Sequence, residues 1–113
     1  MVTIFHNPRC GKSRECLAFL NQEKEDIDVV NYLVNPPTFE ELSSIIQVLR
    51  IKPIELVRQK ESIWISDFKH KSMSDSEVIQ AMVQHPILIE RPIVINENKA
   101  VIARPYDKAK AIL

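Results

Sequence analysis

Apolar positions change period several times along this 113-residue chain, and each change marks an element. Val2-Thr3-Ile4-Phe5 is short, apolar and β-rich, which predicts a buried strand. It runs into His6-Asn7-Pro8-Arg9-Cys10-Gly11, a turn-like stretch with Pro and Gly. From about Lys12 to Lys24 the spacing is helical. Cys16, Leu17 and Leu20 form its apolar stripe, with Ser13 at the front of the same face. Ile27-Asp28-Val29-Val30 predicts a second strand, so the first third reads as strand, helix, strand, the signature of a βαβ unit.

Asn35-Pro36-Pro37 then breaks the chain. Thr38 and Glu41 stand at capping-box spacing, and Leu42, Ile45, Ile46 and Leu49 follow at helical intervals. Pro53 suits the first turn of a short helix from Ile54 to about Gln59. Lys60 to Met73 mixes charges with Trp64 and Phe68 and has no clean period. Ser74 and Glu77 form a second capping box, opening a helix that buries Val78, Ile79, Met82 and Val83 and stops before Pro86. Ile93-Val94-Ile95 and Ala100-Val101-Ile102 predict a hairpin joined by Asn96 to Lys99. Pro105-Tyr106-Asp107 opens a terminal helix that packs Ala109, Ile112 and Leu113. The order is β-α-β, then helices, then β-β-α, within one domain spanning residues 1–113.

Composition narrows the function. The 15 basic and 15 acidic residues cancel, which argues against a protein that coats nucleic acid and needs a basic excess to neutralise phosphates. No apolar run approaches the length that crosses a bilayer, and the start lacks the pattern of a signal peptide. Two cysteines are too few for a secreted disulfide scaffold, so the expected compartment is the reducing cytoplasm. The lone glycine, Gly11, excludes a phosphate loop of repeated glycines. His70 and His85 have no companions at metal-ligand spacing and no zinc or iron pattern is present, so no metal is expected.

The balanced total hides a local imbalance. Arg9, Lys12 and Arg14 surround Cys10, and the first acid in the chain is Glu15. Cys10 also falls where a strand turns into a helix, where amide N–H groups lack internal partners and favour a negative group. Such surroundings lower a thiol pKa from about 8.5 and create a nucleophile at neutral pH. The alternative, a buried cysteine acting as a small hydrophobe, fits poorly beside three cations. Cys16 reads the other way, as a core thiol. A Cys10–Cys16 disulfide is disfavoured, because six helical residues span about 9 Å against a limit of roughly 7 Å for bridged Cα atoms. His6 either orders the loop or adds positive charge near the thiolate.

His6-Asn7-Pro8-Arg9-Cys10-Gly11-Lys12-Ser13-Arg14 resembles the active-site segment of glutaredoxin-dependent arsenate reductases, the ArsC family. The likeness continues through Tyr32 to Pro37 and Leu56-Val57-Arg58, is strongest from His85 to Val94, and recurs at Ala103-Arg104-Pro105. It implies a thioredoxin-like α/β fold with a helical insertion at about 38–85. It implies catalysis by Cys10, Arg58, Arg91 and Arg104, with His6, Gly11, Lys12, Ser13 and Arg14 binding the oxyanion or activating the thiolate. Guanidinium forks match the oxygens of a tetrahedral oxyanion such as arsenate and stay charged at any relevant pH. The implied co-substrate is glutathione, with glutaredoxin as partner and no bound cofactor. The resemblance also implies a cis Arg91–Pro92 bond. Two other activities share the scaffold. One is a general glutathione-linked thiol oxidoreductase. The other is an Spx-like regulator that binds RNA polymerase, but its CxxC switch is missing, since Ser13 stands at the second position.

Overall fold

The computed structural model describes residues 1–23 and 26–113, which fall into two compact units: Met1–Asn35 with Arg91–Leu113, and Pro36–Glu90. The first unit holds a four-stranded sheet in the order β2-β1-β3-β4, with β1 at Val2–His6, β2 at Ile27–Asn31, β3 at Ile93–Asn96 and β4 at Lys99–Ile102. β1 runs parallel to β2 and antiparallel to β3, and β3 pairs antiparallel with β4. Helix α1, Gly11–Glu23, is the crossover between the parallel pair. The expected end of this helix at Lys24 lies outside the described residues. A mixed sheet built from β-α-β and β-β-helix segments is the thioredoxin-like arrangement that the resemblance implies.

The period-two pattern decides which side of the sheet meets α1. Val2, Ile4 and Val94 join Cys16 and Leu20 of α1, with Ala103 and Ala109, in one buried cluster. Leu17, Phe19, Ile27, Val101, Ile112 and Leu113 pack around it. Cys16 is therefore the core thiol that its place on the stripe predicts, and burial pushes it up to about 11, so it stays protonated at neutral pH. Phe5 points to the opposite face and stacks on Tyr32, with ring centroids 6.3 Å apart.

In the second unit both capping boxes form. Thr38 and Glu41 start α2, Phe39–Leu49, and Ser74 and Glu77 start α4, Asp75–Gln84, which packs against α2. Leu42, Ile46, Val78, Ile79 and Met82 are buried, while Val83 is only half-buried and Ala81 is buried beside Met82. Between these helices, Ser62–Asp67 forms a short helix, α3, that buries Trp64 and stacks it on Phe68 at 5.5 Å. One buried aromatic and no repeat explains why this stretch shows no period in sequence.

Three expectations are corrected. The helix expected at Ile54–Gln59 is a single 3-10 turn, Pro53–Leu56. The chain then becomes extended, since Val57 bridges to Ile89, Arg58 N–H donates to Leu88 and Glu90 N–H donates to Leu56. The hairpin loop is two residues, not four, because Asn96 pairs with Lys99, and Glu97 takes the left-handed turn conformation at φ 57°. The terminal helix, Tyr106–Ile112, is 3-10 rather than α. It still buries Ala109 against α1 and β4.

Candidate active site

Cys10 sits at the junction of β1 and α1, and its carbonyl accepts the Arg14 N–H as the first bond of the helix. Asn7 builds the turn that holds it. The Asn7 carbonyl accepts the Cys10 N–H at 3.0 Å, and its side-chain Oδ1 accepts the Arg9 N–H at 3.0 Å. The Asn7 N–H donates to the Ser13 hydroxyl at 3.0 Å, and His6 Nδ1 lies 2.6 Å from the same oxygen. His6, Asn7 and Ser13 are all buried. Asn7 did not stand out in the sequence, although an Asn before Pro at a strand end is a plausible turn former.

The Cys10 sulfur is half-exposed and unbonded to any other cysteine. Burial is the largest single influence on it and acts upward. Three groups outweigh burial: the Ser13 backbone N–H, the Arg91 side chain by hydrogen bond and charge, and the Lys12 backbone N–H. The net effect holds the thiol below its ordinary value. Lys12 and Ser13 thus act on the sulfur through their backbones. The side chains of Arg9, Lys12 and Arg14 are not among these groups.

His6 is tied into the loop by its approach to the Ser13 hydroxyl. Burial, then the charge of Arg14, holds it below its ordinary 6.5, so it is neutral at pH 7 and adds no positive charge beside Cys10. Its contribution to stability is complete above pH 6.5 and is lost as pH falls through the lower folded value.

Arg91 and Arg104 lie in the same unit as Cys10. Arg91 is nearly buried, at 8% exposure, beside the fully buried Pro92. Arg104 donates through Nη1 to the Arg91 carbonyl at 3.1 Å, and Ala103 N–H donates to the Pro92 carbonyl at 2.9 Å. Both Arg91–Pro92 and Arg104–Pro105 are cis, the first as the resemblance implies. Arg14 is exposed and donates to the Pro8 carbonyl at 3.0 Å. Gly11 has no positive φ, and a Cβ there would meet only Arg14 Nη2, at 3.7 Å, so the fold itself does not demand glycine at this position.

Arg58 belongs to the second unit. Its Nη1 pairs with Glu90 at 2.9 Å and its Nε with Glu61 at 3.3 Å. These two carboxylates were not singled out from sequence; Glu61 was visible at i+3, Glu90 was not. Among the described residues no group of three or more His, Cys, Asp or Glu could hold a metal ion. No helix among them is long and apolar enough to cross a membrane.

Comparison with known proteins bears on the family and the fold. A model of the ArsC family matches residues 5–112. The uncharacterized protein YfgD of Escherichia coli strain K12 is 40% identical over 114 residues, covering 99% of this chain and 96% of that one. An arsenate reductase of Haemophilus influenzae is 39% identical, covering 99% of this chain and 98% of its own. The solved structure of an arsenate reductase from Vibrio cholerae superposes with a TM-score of 0.94 at 38% identity, covering 99% of this chain and 97% of that chain. A thioredoxin-like sheet with a thiol at the start of its first helix, matched over nearly its whole length, belongs to the ArsC family.

Proposed function

We propose that this chain is an arsenate reductase in which Cys10 is the nucleophile. The observation that carries the reading is the Cys10 thiol itself: half-exposed, at the start of α1, and held below its ordinary pKa by two backbone N–H groups and Arg91. The names of its relatives in Haemophilus influenzae and Vibrio cholerae point the same way.

The Cys10 thiolate attacks arsenic, and hydroxide or water leaves, giving a thiol–arsenate adduct. Arg91 and Arg104 neutralise the arsenate oxygens as charge shifts in the transition state. Arg58 is the third arginine of this reading, assigned by its match in sequence. Glutathione thiolate then attacks the Cys10 sulfur of the adduct. The sulfur–arsenic bonding pair passes to arsenic, arsenite departs, and a Cys10–glutathione disulfide remains for glutaredoxin to resolve. Two thiols are oxidised and As(V) is reduced to As(III), so the electrons balance. An external thiol is required because position 13, where a second cysteine would resolve the first, is a buried serine whose hydroxyl is engaged by His6 and Asn7. Supply of glutathione places the reaction in the cytoplasm. The same reading takes residues 1–113 as one domain with a helical insertion at about 38–85.

The test is a coupled assay of arsenate reduction with glutathione and glutaredoxin. The native chain should turn over and Cys10→Ser should fall to the uncatalysed background. Full turnover by Cys10→Ser, or none by the native chain, overturns the assignment. Because the Cys10 thiol is lowered, alkylation by iodoacetamide should reach half its maximal rate at a lower pH than it does for a free thiol such as N-acetylcysteine measured alongside.

A further inference from the structure

We propose that Arg14, flanked by Arg9 and Lys12, selects the second thiol: these cations recruit an anionic thiol to Cys10 rather than activate Cys10. The inference deepens the reading above and rests on it for the existence of a second thiol.

All three side chains are exposed around a half-exposed sulfur. Among the described residues no carboxylate forms an ion pair with any of them. Nor are their side chains among the groups that lower the Cys10 thiol, which are the Ser13 and Lys12 backbone N–H groups and Arg91. Three cations that neither pair with acids nor hold the sulfur remain available to an incoming group.

Arg14 is the fixed member of the three. Nη1 is tied to the Pro8 carbonyl at 3.0 Å, while Nη2 lies 3.7 Å from where a Gly11 side chain would begin. The guanidinium therefore spans the turn on both sides of Cys10 in sequence. The missing Gly11 side chain leaves space under it, and its other N–H donors face no protein acceptor among the described residues. A planar fork held in one place suits a carboxylate. Glutathione bears two carboxylates and one ammonium, so it is a small anionic thiol of the class such a rim attracts. Attraction of this kind raises the rate of encounter and fades with salt.

Alkylation separates recruitment from activation without using arsenate. Iodoacetate is an anionic probe and iodoacetamide a neutral one of the same shape. In 10 mM buffer, Arg9→Gln/Arg14→Gln should slow iodoacetate by about threefold to tenfold. Iodoacetamide, which reads thiolate content, should change by less than about twofold, and 0.5 M salt should abolish the difference between the reagents. In the coupled assay the KM for glutathione should rise, with no matching rise for the neutral 2-mercaptoethanol. Equal slowing of both reagents means that the cations activate the thiol, and it overturns the proposal. An unchanged iodoacetate rate overturns it as well. Should the native chain fail to reduce arsenate, the arsenate reading falls, and the alkylation pair still decides recruitment.

Discussion

Among the described residues three regular helices run ten residues or more, and they start in two ways. α2 and α4 begin on hydroxyl caps: the Thr38 hydroxyl accepts the Glu41 N–H at 3.1 Å, and the Ser74 hydroxyl accepts the Glu77 N–H at 3.3 Å. Glu41 and Glu77 return the bond, and each first turn carries two acids that complement the helix dipole. α1 begins on a cysteine, and its first turn holds no acid. There the backbone N–H groups of Lys12 and Ser13 turn to the Cys10 sulfur. The same orphan donors are closed off by side-chain caps at α2 and α4 and left for the Cys10 sulfur at α1. A helix start that leaves out its usual cap keeps its backbone donors for another acceptor, here the Cys10 sulfur, which the nearly buried Arg91 also meets.

Removing that arginine should have the largest effect. Arg91→Gln keeps a polar side chain of similar reach but takes away the charge and the hydrogen bond to the sulfur. The iodoacetamide rate of Cys10 at pH 7 should fall roughly threefold to tenfold, and its pH profile should move upward. An unchanged profile would mean that the helix start alone lowers the thiol. Cys16 offers the internal control: pushed up to about 11 and fully buried, it should stay unmodified in the folded chain.

What the sequence made legible follows the same division. The capping boxes are local, since Thr38–Glu41 and Ser74–Glu77 each lie three residues apart and need no knowledge of the fold. The strand-to-helix junction at Cys10 was legible for the same reason, and so was Cys16, whose place on an apolar stripe is a matter of spacing. The partners of Cys10 were only half legible. Arg9, Lys12 and Arg14 are conspicuous because they are adjacent, yet Arg91, which the chain brings back from beside β3, holds the sulfur. Without the family resemblance nothing local would single it out. Arg58 shows the same limit, because its pairing with Glu90 depends on the extended stretch that joins Val57 to Ile89. Helix type was also out of reach at Pro53–Leu56 and Tyr106–Ile112, where a turn or two of 3-10 and of α share one apolar spacing.

A middle-sized test acts on the other side of the comparison. Thr38→Ala and Ser74→Ala each remove a cap that only stabilises, and each should cost about 0.5–2 kcal/mol in urea unfolding. Neither should alter the alkylation profile of Cys10, because both caps lie in the other compact unit. Cys10→Ser should do the reverse. Serine is a favoured cap, so unfolding should be unchanged or slightly harder while reactivity disappears. A Cys10→Ser variant markedly less stable than the native chain would mean that the thiolate, not only the turn, supports the start of α1.

At the start of α1 one substitution should move stability and alkylation in opposite directions, each by a small amount. Lys12→Glu gives α1 the acid in its first turn that α2 and α4 already have. A carboxylate there should favour the helix by about 0.3–1 kcal/mol at low salt. It should also set a negative charge beside the Cys10 thiolate while leaving the Lys12 backbone N–H in place, so the iodoacetamide rate should fall by about twofold to threefold. Both changes should shrink together as salt is added, since both act through solvent-exposed charge. Lys12→Gln separates the two halves: it removes the cation without adding an anion, and because the Lys12 side chain is not among the groups holding the sulfur, iodoacetamide should slow clearly less than with Lys12→Glu. If Lys12→Gln slows iodoacetamide as much as Lys12→Glu does, the side-chain cation supports the thiolate after all. The start of α1 would then differ from those of α2 and α4 in the sign of its side chains rather than in the use of its backbone.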